Sequence, residues 1–342
     1  MVPYVAPVDR IGVIGASGYA GAELLRLCAQ HPHLEACLAV GDTQAGVDVA
    51  TLYPSLAAAY PGMSFSAYDP ADLEGLDLLF LAMPHGESSK VMEEVRKRVP
   101  AVVDLGADFR LKDAALYPEW YGEEHPGPAL LAEFAYGLPE LFRDELRGAK
   151  AIAAPGCYPT AAGLALAPLV REGLIEPAGV VVDAASGVSG AGRGKFPYAG
   201  TNEDFVAYGL LDHRHTPEIE QVTGAQVIFT PHLAPMNRGI LATCYARPAR
   251  GVSTVTVLEA LGDFYTDEPF VVVSDRPPST KATLGSNSAH LTARFDERTG
   301  WVVALCAIDN LVKGAAGQAL QCANLSLGHD ETEGLSAAGI YP

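Results

Sequence analysis

The stretch IGVIGASGYAG, residues 11–21, decides the fold of the first half of the chain. Its apolar beginning predicts a buried strand, and the apolar positions Leu24, Leu25 and Leu27 after the glycines predict a helix. A Gly-rich turn between a strand and a helix exposes backbone N–H groups at the helix N-terminus, where a dinucleotide pyrophosphate binds. The alternative is a turn that only joins the two elements. The candidate cofactor-binding residues of the turn are Gly15, Ser17, Gly18, Tyr19 and Ala20.

Further apolar runs follow at the spacing of a doubly wound domain. Residues 34–40, 76–83, 101–105 and 151–154 predict four more strands, with turn or helix signals between them, as in a parallel sheet with crossover helices. From about Gly179 onward, strand-like runs become frequent and helices few, which predicts a second, mixed α/β domain. The last apolar stretch, residues 311–325, predicts a helix that packs against a sheet.

The composition excludes several classes of function. The chain has 342 residues, enough for about two domains, and 23 basic against 41 acidic residues give a net charge of −18. Such a surface repels nucleic acid and anionic lipid, and no apolar run is long enough to span a bilayer. The first ten residues lack the pattern of a secretory signal, so we expect a cytoplasmic protein. We predict no metal site.

The residue that reads the adenosine ribose is expected near the end of the second strand, where Asp42 and Thr43 stand. A carboxylate at Asp42 accepts hydrogen bonds from the ribose hydroxyls of NAD, and its charge opposes a 2′-phosphate. Local chemistry therefore favours NAD. The alternative interpretation of Asp42 is a solvated acid in a turn.

One of the six cysteines differs from the rest. Cys157 lies between Gly156 and Pro159 at the predicted entry to a helix spanning residues 160–172, where the helix dipole favours a thiolate. The other five are scattered without paired spacing, and we interpret them as buried thiols. Cys157 is the candidate nucleophile, and a further buried thiol is the alternative.

A nucleophilic cysteine needs a base, and His213 and His215 are the candidates. We expect Thr216 to be the N-cap of the helix that follows, because Pro217 suits a first helical position. Such a cap holds His215 in place, and Glu218 lies close enough in sequence to orient an imidazole or bind a substrate group. Two surface histidines are the alternative.

Glycines and arginines provide candidate anion sites. The run from Ser186 to Gly194 combines glycines, two serines and Arg193, which is typical of an anion-binding loop, although a mobile hairpin has the same composition. Arg110 and Arg238 are further guanidinium candidates, and surface ion pairs are their alternative. Pro84 follows the third strand at the carboxyl edge of the sheet, where ligands bind in doubly wound folds.

Taken together, these motifs resemble the N-acetyl-gamma-glutamyl-phosphate reductase family, within the group that includes aspartate-semialdehyde dehydrogenase. The resemblance runs nearly end to end. The matching blocks are residues 15–24, 81–86, 104–110, 155–160, 186–193, 213–219, 231–240 and 309–315.

The resemblance implies an NADP-dependent reductive dephosphorylation of N-acetyl-L-glutamyl 5-phosphate to the 5-semialdehyde in arginine biosynthesis. Cys157 forms a thioester, inorganic phosphate leaves, and His215 acts as base and later as acid. Glu218 completes the catalytic set. Where relatives carry Ser-Arg after the second strand, this chain has Gly41 and Asp42, so NAD(H) is the second candidate cofactor. The remaining candidates are Gly187 and Asn310 for the cofactor, and Arg110, Ser189, Arg193, His213 and Arg238 for the substrate.

The resemblance also implies the domain organisation. A Rossmann-type NAD(P)-binding domain is expected over residues 1–156, completed by the C-terminal helix, residues 309–342, and a mixed α+β catalytic and dimerisation domain over 157–308. The partners are then the acyl phosphate, inorganic phosphate and further copies of the chain in a homodimer or homotetramer.

Three other functions compete with this interpretation. A carrier-linked aminoadipyl-phosphate reductase would need a basic surface for its acidic carrier, against which the net charge of −18 argues. A dinucleotide-binding redox sensor would use Cys157 only as an oxidisable thiol. A thiol hydrolase would use the same Cys and His pair but leaves the Gly-rich turn unexplained.

Overall fold

The computed structural model describes residues 8–194 and 197–341, which form two compact units. The first unit contains residues 8–112, Pro126–Ala154 and Ala316–Leu335. The second contains Asp113–His125, the described residues of Pro155–Ala315, and residues 336–341. Residues 113–125, 155–156, 309–315 and 336–341 group here with the second unit, whereas the sequence places them in the first domain, and the predicted domain division stays a prediction. Its residues 1–7 and 342 lie outside the described range.

The elements alternate between helix and strand along the first half of the chain. The strands are β1 Asp9–Ile14, β2 Leu34–Val40, β3 Leu78–Leu81, β4 Ala101–Asp104, β5 Ala135–Tyr136, β6 Ala151–Ala153, β7 Val180–Gly187, β8 Val206–Ala207, β9 Val227–Ala234, β10 Ile240–Ala246, β11 Val271–Val273, β12 Ala289–Asp296 and β13 Trp301–Ile308. The α-helices are α1 Tyr19–Cys28, α2 Val49–Leu52, α3 Ser88–Arg98, α4 Leu116–Tyr121, α5 Pro139–Leu146, α6 Cys157–Arg171, α7 Tyr198–Thr201, α8 Thr216–Thr223, α9 Thr254–Phe264, α10 Thr280–Thr283 and α11 Gly317–Leu327.

The first unit is a parallel sheet with strand order β2-β1-β3-β4-β6-β5. The five strands predicted from apolar runs are present, and β3 and β4 are buried along their whole length, as expected for central parallel strands. The two-residue strand β5 escaped prediction because it is too short to show a pattern. Helix α11 packs against α1, α5 and β4 of this unit.

The second unit contains a mixed sheet of order β11-β12-β13-β10-β7-β9-β8. Burial alternates along β7 and β10, so one face of the sheet is buried and the other is partly exposed. Helices α6 and α9 contact the sheet through β10, β12 and β13. The α/β fold class, with a Rossmann-type and a mixed unit, is confirmed.

Two sequence predictions need correction. The helix predicted over residues 311–325 begins instead as a π-helix, Val312–Ala316, and continues as α11. Asp309 Oδ1 accepts the N–H groups of Leu311 and Val312, and this local hydrogen bonding sets the irregular start. Cys37, predicted as a buried thiol, is half-exposed because it lies on an outward-facing position of β2.

None of the helices in the described part of the chain combines the length and the apolar character needed to cross a membrane.

A buried carboxyl group stands at the end of β4. Asp104 Oδ1 accepts hydrogen bonds from Ser88 Oγ and the Gly106 N–H, both at 2.8 Å. Its Oδ2 has no hydrogen-bond partner within residues 8–194 and 197–341. Burial raises the pKa of Asp104 to about 7, although these two hydrogen bonds act in the opposite direction.

Asp104 therefore makes the stability of the protein depend on pH. Since its pKa is higher in the folded than in the unfolded chain, its ionisation destabilises the fold progressively as pH rises from about 4 to about 7. Over this range, the free energy of unfolding of the uncharged Asp104→Asn variant should rise relative to that of the wild type, by on the order of a few kcal/mol. Thermal midpoints of both proteins at about pH 5 and about pH 8 test this, and a difference independent of pH would contradict it.

Candidate active site

The candidate nucleophile begins a buried helix. Helix α6 starts at Cys157, three residues before the predicted start, with Gly156 as its N-cap. The N–H groups of a first helical turn have no intrahelical partner, and the helix dipole there favours a negative charge. Cys157 is half-buried, so its thiol combines access with the position that favours a thiolate.

Two groups from α8 and its N-terminus contact Gly156. Glu218, fully buried, accepts the Gly156 N–H at Oε1 over 2.8 Å. A Cβ added to Gly156 would lie 2.4 Å from His215 Nε2, so the imidazole rests directly against this glycine. The structure therefore brings together the three predicted catalytic residues Cys157, His215 and Glu218 around one backbone position.

The predicted N-cap of α8 is wrong. The N-cap is His215, and Thr216 is already the first helical residue, with Pro217 within the first turn. The Thr216 N–H donates to the His213 carbonyl at 2.9 Å, which places a turn before the helix and draws Thr216 into it. The expected consequence still holds, because His215 is fixed at the helix start.

His213 supports His215 through the backbone. Its Nδ1 accepts the His215 N–H at 3.1 Å, and its ring packs among the rings of Tyr158, Tyr208 and Phe229. Burial lowers the pKa of His213 to about 4, so the ring is neutral near pH 7. Its substrate-binding role stays a prediction, and it would not involve a positive charge.

A pair of tyrosines beside the nucleophile was missed from the sequence. Tyr158 Oη lies 3.1 Å from Tyr208 Oη and donates to the His232 carbonyl at 3.2 Å. Burial raises the pKa of Tyr158, and it raises that of Tyr208 to about 12, so both phenols keep their protons. The adjacency of Tyr158 to Cys157 was the available signal, but nothing in the sequence indicated Tyr208 as its partner.

Several of the other predicted residues of the second unit meet at the ends of β7, β10 and β13. Asn310 Oδ1 accepts the Gly239 N–H at 2.7 Å, and its Nδ2 donates to Ser189 Oγ at 3.0 Å. Gly187 lies so close to the backbone of residues 237–238 that a Cβ would come within 2.7 Å of it. Arg238 Nη2 lies 3.0 Å from Asp309 Oδ1.

Arg193, the substrate-binding candidate of the Gly-rich run, is exposed in the turn that follows residues 188–191. Residues 195 and 196, close by in sequence, lie outside the described range.

In the first unit, the Gly-rich turn packs against the carboxyl ends of two strands. Gly15 has φ +82°, and a Cβ there would lie 2.2 Å from the Ala82 carbonyl oxygen. A Cβ on Gly41, at the end of β2, would lie 2.8 Å from Ser17 Cβ. Helix α1 begins at Tyr19, and its N-cap, Gly18, has no side chain to cap the first turn. A glycine turn closely packed against two strand ends, at the start of a helix with a glycine N-cap, fits a dinucleotide pyrophosphate.

The predicted ribose-reading residues lie in a short 3-10 helix, Asp42–Gln44. Asp42 Oδ1 accepts the Tyr68 N–H at 2.8 Å on the protein surface. Thr43 belongs to the same helix and is exposed.

The edge near Pro84 holds a buried acid that the sequence did not single out. Pro84 is exposed, and the next residue, His85, has its Nδ1 2.7 Å from Asp108 Oδ1. Burial alone would raise the pKa of Asp108, but hydrogen bonds from His85 and from the N–H groups of Gly86 and Ser89 lower it. Asp108 thus stays a carboxylate, and it holds His85, Gly86 and Ser89 at this edge of the sheet.

Arg110 is buried rather than exposed to solvent. Its Nε donates to the Ala154 carbonyl at 2.9 Å and its Nη2 to the Leu105 carbonyl at 2.6 Å, so it links the ends of two neighbouring strands. Its substrate-binding role stays a prediction.

Comparisons with known proteins agree with this architecture. A family model described as semialdehyde dehydrogenase, NAD binding domain, matches residues 10–149, and one described as semialdehyde dehydrogenase, dimerisation domain, matches residues 157–310. The N-acetyl-gamma-glutamyl-phosphate reductase of Desulforudis audaxviator is 48% identical, in an alignment that covers 97% of this chain and 99% of the relative. The chain belongs to the N-acetyl-gamma-glutamyl-phosphate reductase family.

Other members of the N-acetyl-gamma-glutamyl-phosphate reductase family are similarly close. Those of Acidothermus cellulolyticus and Magnetococcus marinus are 48% and 45% identical, each over 97% of this chain and 99% of the relative. Among solved structures, aspartate semialdehyde dehydrogenase II from Vibrio cholerae, complexed with ASA, has a TM-score of 0.71 at 16% identity, covering 94% of this chain and 99% of that one. This last likeness concerns the fold. The family predicted from the motif blocks is confirmed, and the chain uses a nicotinamide dinucleotide.

The contact between Gly156 and His215 predicts a specific steric effect. Gly156→Ala places a methyl group 2.4 Å from Nε2, and overpacking of this kind costs about 1–3 kcal/mol. The cost should shrink in a His215→Ala background, where the overlapping ring is absent. Gly262→Ala in α9, where nothing lies within 4 Å of an added Cβ, is the matched control. Equal destabilisation by Gly156→Ala with and without His215 would exclude the contact.

Proposed function

We propose that the protein catalyses the NADPH-dependent reductive dephosphorylation of N-acetyl-L-glutamyl 5-phosphate to N-acetyl-L-glutamate 5-semialdehyde, in arginine biosynthesis. The observation that carries the proposal is the arrangement around Gly156. A half-buried thiol at a helix start, an imidazole against the preceding glycine and a buried carboxylate on its N–H suit nucleophilic attack by sulfur. The names of the relatives supply the substrate.

The residues of the second unit have distinct roles in this reaction. His215 takes the proton of the Cys157 thiol, and Sγ attacks the acyl carbon, so that a C–S bond forms and the C–O bond to phosphate breaks. The N–H groups at the start of α6 stabilise the oxyanion that develops on the carbonyl oxygen. After reduction, the thiohemiacetal oxyanion re-forms the C=O bond of the semialdehyde as the C–S bond breaks, and His215 returns its proton to the Cys157 thiolate. Glu218 holds the backbone at Gly156 and so positions Cys157.

In the first unit, residues Gly15, Ser17, Gly18, Tyr19 and Ala20 hold the cofactor. When bound, the nicotinamide dinucleotide supplies the hydride that reduces the thioester. Family membership supports NADP(H) as this cofactor. One observation favours NAD(H) instead, since Asp42 places a negative charge at the surface near the end of β2, where a 2′-phosphate would be read.

Oligomerisation belongs to the same proposal. The partly exposed face of the second sheet carries Val181, Tyr245, Trp301 and Val303 around a hollow of about 420 Å³. A second copy of the chain packed on this face would bury these side chains, in a homodimer or homotetramer. We place the enzyme in the cytoplasm, with the small acyl phosphate and inorganic phosphate as its other partners.

The reaction can be tested in reverse. Purified protein with N-acetyl-L-glutamate 5-semialdehyde, inorganic phosphate and NADP⁺ should produce reduced nicotinamide only when phosphate is present. Cys157→Ser should abolish the signal, because the alkoxide needed for attack forms far less readily than a thiolate, whereas Cys37→Ser should not change it. Absence of turnover with either dinucleotide, or turnover only of an aminoadipyl substrate, would refute the proposal.

A substitution at Asp42 tests the choice between NADP(H) and NAD(H). Asp42→Asn removes the charge and keeps an oxygen that can accept the Tyr68 N–H, so the local structure is preserved. The ratio of kcat/KM for NADP⁺ to that for NAD⁺ should rise by about tenfold, equivalent to about 1.4 kcal/mol of relieved repulsion. An unchanged ratio would show that Asp42 does not face the adenosine ribose.

A further inference from the structure

The turn that follows β13 touches the nucleophile. Gly314 lies in the π-helix Val312–Ala316, and its N–H donates to the Asp309 carbonyl at 2.9 Å. A Cβ added to Gly314 would lie 2.8 Å from Cys157 Cβ and 3.3 Å from its Cα. Its φ is not in the left-handed region, so the contact with Cys157, rather than backbone conformation, requires glycine here.

A fully buried carboxylate holds this turn in place. Asp309 Oδ1 accepts the N–H groups of Leu311 and Val312 at 2.8 and 3.1 Å, and Oδ2 accepts the Gly285 N–H at 2.7 Å. Arg238 adds two charge-assisted hydrogen bonds to Oδ1, from Nε at 3.2 Å and from Nη2 at 3.0 Å. Asp309 and its ion-pair partner therefore connect three separate segments of the second unit.

We propose that Arg238 and Asp309 are positioning residues that hold Gly314 against Cys157 and thereby set the position of the thiol at the start of α6. This assigns Arg238 a role that differs from binding the substrate. The turnover part of the test rests on the proposed function, and the thiol part does not.

The physical argument concerns what happens when the pair is broken. Removing Arg238 leaves a buried carboxylate without its counter-charge, which is strongly unfavourable, and the turn must rearrange to hydrate or protonate it. Single-turn π-helices are intrinsically uncommon and persist where the surroundings determine them. A rearranged turn no longer confines Cys157, so the thiol leaves its place relative to the helix N-terminus and His215.

The test is the rate at which iodoacetamide alkylates Cys157, followed by peptide mass spectrometry across a range of pH. The half-exposed Cys37, in the first unit, is an internal reference in every sample. The variants are Gly314→Ala, Arg238→Met and Arg238→Lys, with Gly262→Ala as the matched control. Circular dichroism establishes that each is folded. If Arg238→Met does not fold, the other two variants carry the comparison.

Gly314→Ala and Arg238→Met should slow Cys157 alkylation near pH 7 by about tenfold, with the midpoint of the pH profile about one unit higher. Cys37 should react as in the wild type, and Arg238→Lys, which keeps a positive charge beside Asp309, should recover part of the rate. In the turnover assay, kcat should fall more than KM rises.

A different pattern would overturn the proposal. If Arg238→Met alkylates like the wild type and only KM for the acyl phosphate or semialdehyde rises, Arg238 binds substrate directly. If Gly314→Ala leaves the Cys157 profile unchanged, the turn does not position the thiol. Altered alkylation in a protein that never turns over the proposed substrate would support the positioning roles and refute the proposed function alone.

Discussion

The hydrogen bond from the Gly156 N–H to the buried Glu218 carboxylate is the interaction on which the candidate active site depends. It ties the first residue before helix α6 to helix α8, although 62 residues separate the two in sequence. A charge-assisted bond of this kind, shielded from water, is both strong and directional. Because Gly156 is fixed, the position of Cys157 and the approach of His215 are fixed with it.

Buried acids recur as organisers of backbone elsewhere in the protein. Asp108 accepts hydrogen bonds from two backbone N–H groups and contacts His85 at the edge of the first sheet. Asp309 accepts hydrogen bonds from three backbone N–H groups and pairs with Arg238 in the second unit. In each case the carboxylate replaces the water that would otherwise satisfy loop N–H groups. This explains why loops near the ends of strands can hold defined conformations.

Much of the fold could be predicted from the sequence, because the spacing of its apolar residues indicates strands and helices. Long apolar runs and the Gly-rich turn predicted β1 to β4, α1 and the second, strand-rich half. The motifs around Cys157 and His215 likewise predicted the nucleophile and its partner.

What the sequence did not reveal depends on contacts between distant residues. Neither the bond between Tyr158 and Tyr208 nor the burial of Arg110 has a local signature, and the N-cap of α8 shifted by one residue because a turn at His213 precedes it.

The order of segments along the chain has a consequence for how the protein is made. The first unit needs α11, which packs against α1, α5 and β4, yet α11 follows every strand of the second sheet in the sequence. A ribosome therefore synthesises the strands of both sheets before the first unit can close its core. Nearly all of the second unit, residues 155–315 as described, has been synthesised by then. The early strands of the first unit are therefore without α11, their last packing partner, for most of synthesis.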